Sequence, residues 1–220
     1  MPRTAPSRRV GETYVQLTPG GDRVMKSALK NLVMFKMGWI ACVALAAAGQ
    51  PLWATVAVAF VVALHLAAVP VVVKEAMLLA ASAVIGLAWE SLLVWTGLVS
   101  YPASGALAPL APYWIVAMWV LFATTINHGL KWVKKSWVIA ALAGMVGGPL
   151  AFYGGSAMGA VEFSHTLTSL LAIGAGWAVL MPLLALISDT IIDSSWLEPR
   201  DAPRPAKIIP VFERGLGSER

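Results

Sequence analysis

The chain has 220 residues, of which 59% are apolar and only 12% charged, about half the charge of an ordinary soluble domain. With a mean hydropathy of +0.76 it lacks the polar surface that a soluble fold of this size must present. Ten tryptophans and long apolar runs exclude disorder, and a single cysteine, Cys42, excludes a disulfide scaffold.

An integral membrane protein remains. A bilayer core takes about 20 apolar residues per helix, and runs of that length divide the chain into six predicted spans. The first covers residues 32–49 and is broken only by Lys36. The second, 51–73, contains His65 and Pro70. Lys74-Glu75 separates it from the third, 76–99, which holds Glu90. Residues 100–112 form a connection rich in Pro, Ala and Gly. The fourth span, 113–130, ends in Thr124, Thr125, Asn127 and His128. A basic run at 131–135 leads to the fifth, 136–153, and the sixth, 167–191, carries Pro182. These runs are continuously apolar, without the alternation of a membrane barrel, and a helix satisfies its own backbone in lipid. The expected fold is an all-α bundle of six transmembrane helices. A basic tail at 1–30 precedes the membrane domain at 31–193, and a second tail follows at 194–220.

Of the sixteen Lys and Arg residues, fifteen fall in the two tails and in the connections at 74 and 131–135. Alternating spans place all of these on one side, which predicts both termini in the cytoplasm. Trp53, Trp95, Tyr101, Tyr113 and Trp114 fall at the outer ends, and Trp132, Trp137 and Trp196 at the inner ends, as interfacial anchors. The basic charge is thus a topology signal, and no nucleic-acid partner is expected. The expected partners are membrane lipids, a lipid or small-molecule substrate, and a partner membrane protein.

Ionisable groups within spans are functional candidates by default. Counted at about 1.5 Å per residue from the inner ends, Glu90 lies about 21 Å deep, His65 about 12 Å, Thr124 about 9 Å, Lys36 about 6 Å, and Asn127 and His128 about 3–5 Å. Thr124, Asn127 and His128 stand at i, i+3 and i+4, so a continuous helix turns them to one face. Glu90, His65, Thr124, Asn127 and His128 form the candidate substrate or proton pathway. Glu90 leads because a mid-depth carboxyl must be protonated, paired or wet; it is expected to face protein or water. Lys36 is expected to reach the inner headgroups. Asp189 and Asp193, four apart, read as solvated interfacial carboxylates. In the fifth span Gly144 and Gly148 have the small-xxx-small spacing that admits a close helix neighbour, and Gly147-Gly148-Pro149 predicts a kink or break.

No GxxxxGK[ST], HExxH, CxxC or GxSxG motif occurs, so no catalytic residue and no cofactor are expected. His65 and His128 with Glu90 have metal-binding chemistry, but their depths differ by about 9 Å or more on this count, and no metal site is expected.

Residues 37–43 (MGWIACV), 122–128 (FATTINH) and 147–153 (GGPLAFY), with Gly159-Ala160-Val161, resemble a bacterial inner-membrane family known as domain of unknown function 2878. The resemblance covers about residues 31–187, with Asn127-His128 and Gly147-Gly148-Pro149 its most specific features; Glu90-Ser91 matches an acidic-Ser position where Asp is commoner in that family. It implies fold and location and carries no activity. The favoured functional expectation is a small transporter, flippase or substrate-capture subunit built around the buried carboxylate. The alternatives are a membrane-embedded lipid-modifying enzyme or accessory factor, and a non-catalytic scaffold.

Overall fold

Helix starts and stops follow the local chemistry of the chain in this computed structural model, which describes residues 19–103 and 110–193. The six helices are α1 (Pro19–Ala47), α2 (Pro51–Ala68), α3 (Val72–Trp95), α4 (Tyr113–Ala123), α5 (Trp137–Ala157) and α6 (Thr166–Asp193). Glycine closes three of them in the same way. Gly49, Gly97 and Gly159, after α1, α3 and α5, take φ of 72°, 69° and 85°. Each pairs its N–H and that of the next residue with carbonyls of the last turn, as in Gln50 N to Leu45 O at 2.9 Å and Gly49 N to Ala46 O at 2.9 Å. This is the Schellman arrangement, and its left-handed residue is strained with any side chain. Pro51 then opens α2, where its missing N–H is harmless. Ser136 caps α5 by accepting from Val138 N at 3.2 Å.

Among the described residues five helices are long and apolar enough to cross a membrane; α4, with 11 residues, is shorter. Their outer surfaces carry Phe60, Leu64, Val84, Leu142, Leu150, Leu171, Val179 and Leu186, all exposed, far more apolar surface than a water-soluble protein tolerates. The protein is membrane-embedded. Antiparallel neighbours pair as α1 with α2, α3 with α4 and α5 with α6. α4 is central and packs on α1, α2 and α3, while α6 also packs on α3. The core sits along α4, where Trp114, Leu121 and Ala123 are fully buried.

Several helix limits differ from the sequence expectation. α1 begins at Pro19, so residues 19–30 of the expected tail are helical. α2 ends at Ala68 and α3 begins at Val72, because Pro70 cannot continue a helix and biases the residue before it away from one; Lys74 and Glu75 therefore lie in the first turn of α3. The fourth helix stops at Ala123, and residues 124–130 fold as consecutive turns before a 3₁₀ segment at Lys131–Lys135. Finally, of the kink or break expected at Gly147-Gly148-Pro149, the break does not occur: α5 is one continuous helix with Pro149 inside it. The connections after α3 and α5 also form one short antiparallel ladder, with Val99 opposite Phe163 and Ser100 opposite Glu162. Trp196 lies outside the described residues.

Candidate functional site

Among the described residues, two polar centres occupy opposite ends of the bundle, the outer and the inner end of the expected topology. The outer one is built from a stripe on α3. Ser82, Gly86 and Glu90 repeat every four residues and so share one helix face, here the face toward α4. Ser82 Oγ donates to Trp119 O at 2.9 Å. At Gly86 a Cβ would collide with the Trp119 side chain, so the missing side chain is what lets the indole lie against α3. Trp119 Nε1 then donates to Glu90 Oε1 at 2.8 Å. The second oxygen, Oε2, accepts from the Tyr101 hydroxyl at 2.5 Å. Glu90 is wholly buried and faces protein.

Tyr101 is not an interfacial anchor. Its connection is tied down by the strand pair, by Ser169 Oγ donating to Leu98 O at 2.6 Å, by Ala111 N donating to Ser91 Oγ at 3.0 Å, and by Trp114 Nε1 donating to Ala103 O at 2.9 Å. Tyr101 and Trp114, both expected at the outer interface, instead turn inward and pack edge to face at 5.5 Å. Burial, with the adjacent carboxylate adding to it, holds the Tyr101 hydroxyl well above its usual pKa, so it remains a donor.

Beside Glu90 opens a small cavity of about 70 Å³. Its walls are aromatic: Trp119 stacks on Trp177 at 4.7 Å, and Phe122 meets Trp177 edge-on at 5.1 Å. Phe35, Trp39, Phe122, Ala151 and Trp177 also wall a larger groove of about 580 Å³ between α1 and α5. Gly144, Gly147, Gly148 and Gly154 form its α5 side, and Lys36 and Trp132 stand on its border. Lys36 is exposed, its Nζ 4.9 Å from the Trp39 ring centroid. The glycines do separate jobs. A Cβ on Gly144 would strike the Trp177 carbonyl and one on Gly148 the Trp177 indole, whereas Gly147 has open space before it. Gly144 and Gly148 thus bring α6 close and set Trp177, and Gly147 leaves the groove open.

The inner centre gathers His65, Glu75, Asn127 and His128. His65 Nε2 lies 2.8 Å from Glu75 Oε1 and His128 Nε2 lies 3.6 Å from the same oxygen; the imidazoles meet edge to face at 5.0 Å. Asn127 Nδ2 donates to Glu75 Oε2 at 3.3 Å. Its carbonyl accepts from Lys134 Nζ at 2.9 Å and Ser188 Oγ at 2.6 Å. Lys134 also pairs with Asp189 Oδ1 at 2.7 Å, so Asp189 is not merely solvated. The sequence keeps His65 and His128 apart by depth. They meet because α2 ends three residues after His65, which puts that residue about 5 Å from the helix end, and because the turns at 124–130 fold His128 back.

The same turns undo the expected stripe. Thr124 is buried, but its hydroxyl donates to Leu121 O at 2.7 Å and serves the helix end rather than the His–Glu cluster. Asn31 of α1 clasps these turns, donating to Thr124 O at 3.0 Å and accepting from Gly129 N at 3.1 Å. Glu75, Tyr101, Trp119 and Lys134 were not candidates on sequence. Glu75 reads as a loop charge until Pro70 is used to end α2, and Tyr101 carries no signal beyond its place in a loop.

A family profile described as protein of unknown function (DUF2878) matches residues 28–183. The chain belongs to this family. The match runs from the clasp on α1 to the Trp177 end of the cavity, and so includes both polar centres of this family member. No curated protein and no solved structure matches the chain.

Proposed function

We propose that this family member is a six-span protein of the bacterial inner membrane, with both termini cytoplasmic, that captures a lipid-like molecule from the bilayer as a small carrier, flippase or substrate-capture subunit. The observation that carries this reading is the aromatic cavity ending on Glu90 and continued by the glycine-walled groove between α1 and α5. Ligand sites are concave, mostly apolar and furnished with few polar groups, and a groove open along the helices takes its occupant sideways from the membrane. The walls suit an acyl or prenyl chain. Lys36, near the predicted inner interface, suits an anionic head at the cytoplasmic leaflet. For the sixth crossing, α4 supplies about 16 Å of helix and the turns at 124–130 complete the return to the inner side.

The test is extraction of the purified protein and mass spectrometry of what it carries. Gly147→Phe fills the groove without a steric conflict at its Cβ, so wild type should retain an apolar-chain lipid and Gly147→Phe should lose it. Equal lipid content in both would reject the groove as the binding site.

A further inference from the structure

Glu75, His65 and His128 lie outside the aromatic cavity and are not used by the capture reading. Each offers one ligand atom, and these atoms all lie within 4.8 Å of one another. Two ligands each about 2.0–2.1 Å from a tetrahedral ion stand about 3.3 Å apart. The His65–Glu75 and His128–Glu75 separations of 2.8 and 3.6 Å bracket that value. We propose that His65, Glu75 and His128 bind a divalent transition-metal ion of the zinc class through two imidazole nitrogens and one carboxylate oxygen, leaving at least one coordination position open.

Four further observations support this. His128 Nε2 is a buried nitrogen without a hydrogen-bond partner, a state that buried polar atoms rarely keep; ligation satisfies it. The carboxylate is oriented from behind, since Asn127 donates to Oε2 and is itself held by Lys134 and Ser188. Such support of a ligating carboxylate is characteristic of metal sites. The nearby cation does not compete, because Lys134 is paired with Asp189. Access exists as well: the His128 side chain is 29% exposed while those of His65 and Glu75 are 8%, so an ion enters past His128. Two imidazoles and one carboxylate are the donor set of many sites that keep an open position for water or substrate. An ion here also staples the start of α3 to the end of α2 and to the turns after α4.

The experiment uses full-length protein purified through a tag without histidine, stripped with chelator and reloaded with Co²⁺ or Zn²⁺. Wild type should take up about one ion per chain, show cobalt d–d absorption of a low-coordinate nitrogen–oxygen site, and melt at higher temperature with Zn²⁺ than without. His128→Ala removes a side chain whose Nε2 makes no hydrogen bond, so it should fold and bind at least about tenfold more weakly. Glu75→Gln should abolish the absorption. His165→Ala alters the exposed histidine in the outer connection and should change nothing. No cobalt absorption in folded wild type overturns the proposal, as does uptake that survives His128→Ala and Glu75→Gln or disappears with His165→Ala. Because the lipid content of Gly147→Phe is a separate readout, failure here leaves the groove reading intact, and the reverse holds too.

Discussion

Removing the Tyr101 hydroxyl isolates one bond in the outer centre. In Tyr101→Phe the ring still packs on Trp114, but Glu90 Oε2 loses its donor in a place where the side chain has no exposure. Hydrogen bonds to charged groups contribute about 1.5–3 kcal/mol, and a buried acceptor left unpaired loses its solvation besides. Tyr101→Phe should therefore destabilise the fold by about 1.5–3 kcal/mol. Glu90→Leu instead strands two donors, the Tyr101 hydroxyl and Trp119 Nε1, at about 1–3 kcal/mol each. In the double variant the phenol no longer exists to be stranded. Adding Tyr101→Phe to Glu90→Leu should thus be neutral or stabilising, although alone it is damaging. The assay is equilibrium unfolding in mixed micelles for all four proteins, followed by tryptophan emission and far-ultraviolet circular dichroism. If Tyr101→Phe has the same effect in both backgrounds, the two side chains are not coupled and the geometry of this centre is wrong.

Gly144→Ala should destabilise by about 1–3 kcal/mol because the new methyl meets the Trp177 carbonyl and backbone cannot step aside, whereas Gly147→Ala should be neutral or stabilise by up to about 1 kcal/mol; melting temperatures of the pair decide, and equal losses would reject the assigned packing. Lys134→Met strips donors from Asn127, Ser188 and Asp189 and should lose about 1–3 kcal/mol in the same unfolding assay; no loss would mean that the network at this end is idle. Glu90→Gln keeps the shape, with its amide oxygen able to accept from Trp119 and its amide nitrogen able to donate to Tyr101. It should insert and fold normally yet lose any proton coupling in a reconstituted uptake assay; full activity across pH would leave Glu90 a structural group only. Reporter fusions to the two tails should both read cytoplasmic, and an external signal from either would overturn the six-span topology.

What the sequence determined by itself is whatever depends on composition and on neighbours along the chain. The apolar runs fix helices in a membrane because lipid leaves the backbone no other partner, and the isolation of Glu90 in such a run already requires it to turn inward, as it does. Gly144 and Gly148 likewise announce a close helix neighbour by spacing alone. Helix ends were less legible, since Pro70 is an interruption that an apolar run hides, and the Thr-Thr-Ile-Asn-His stretch gives hydropathy no reason to stop at Ala123. Those two endings decide the inner centre: they carry His65 and His128 to one carboxylate that the sequence had assigned to a loop. Partners distant along the chain were decided only by tertiary structure. Tyr101 reaches Glu90 because a strand pair formed with residues 162–163 and the hydrogen bond from Ser169 fold its connection into the bundle. Trp119 reaches it because Gly86 leaves room for an indole. A sequence states which groups need a partner in lipid, but packing chooses the partner, because that choice depends on which backbones come within a few ångströms of each other.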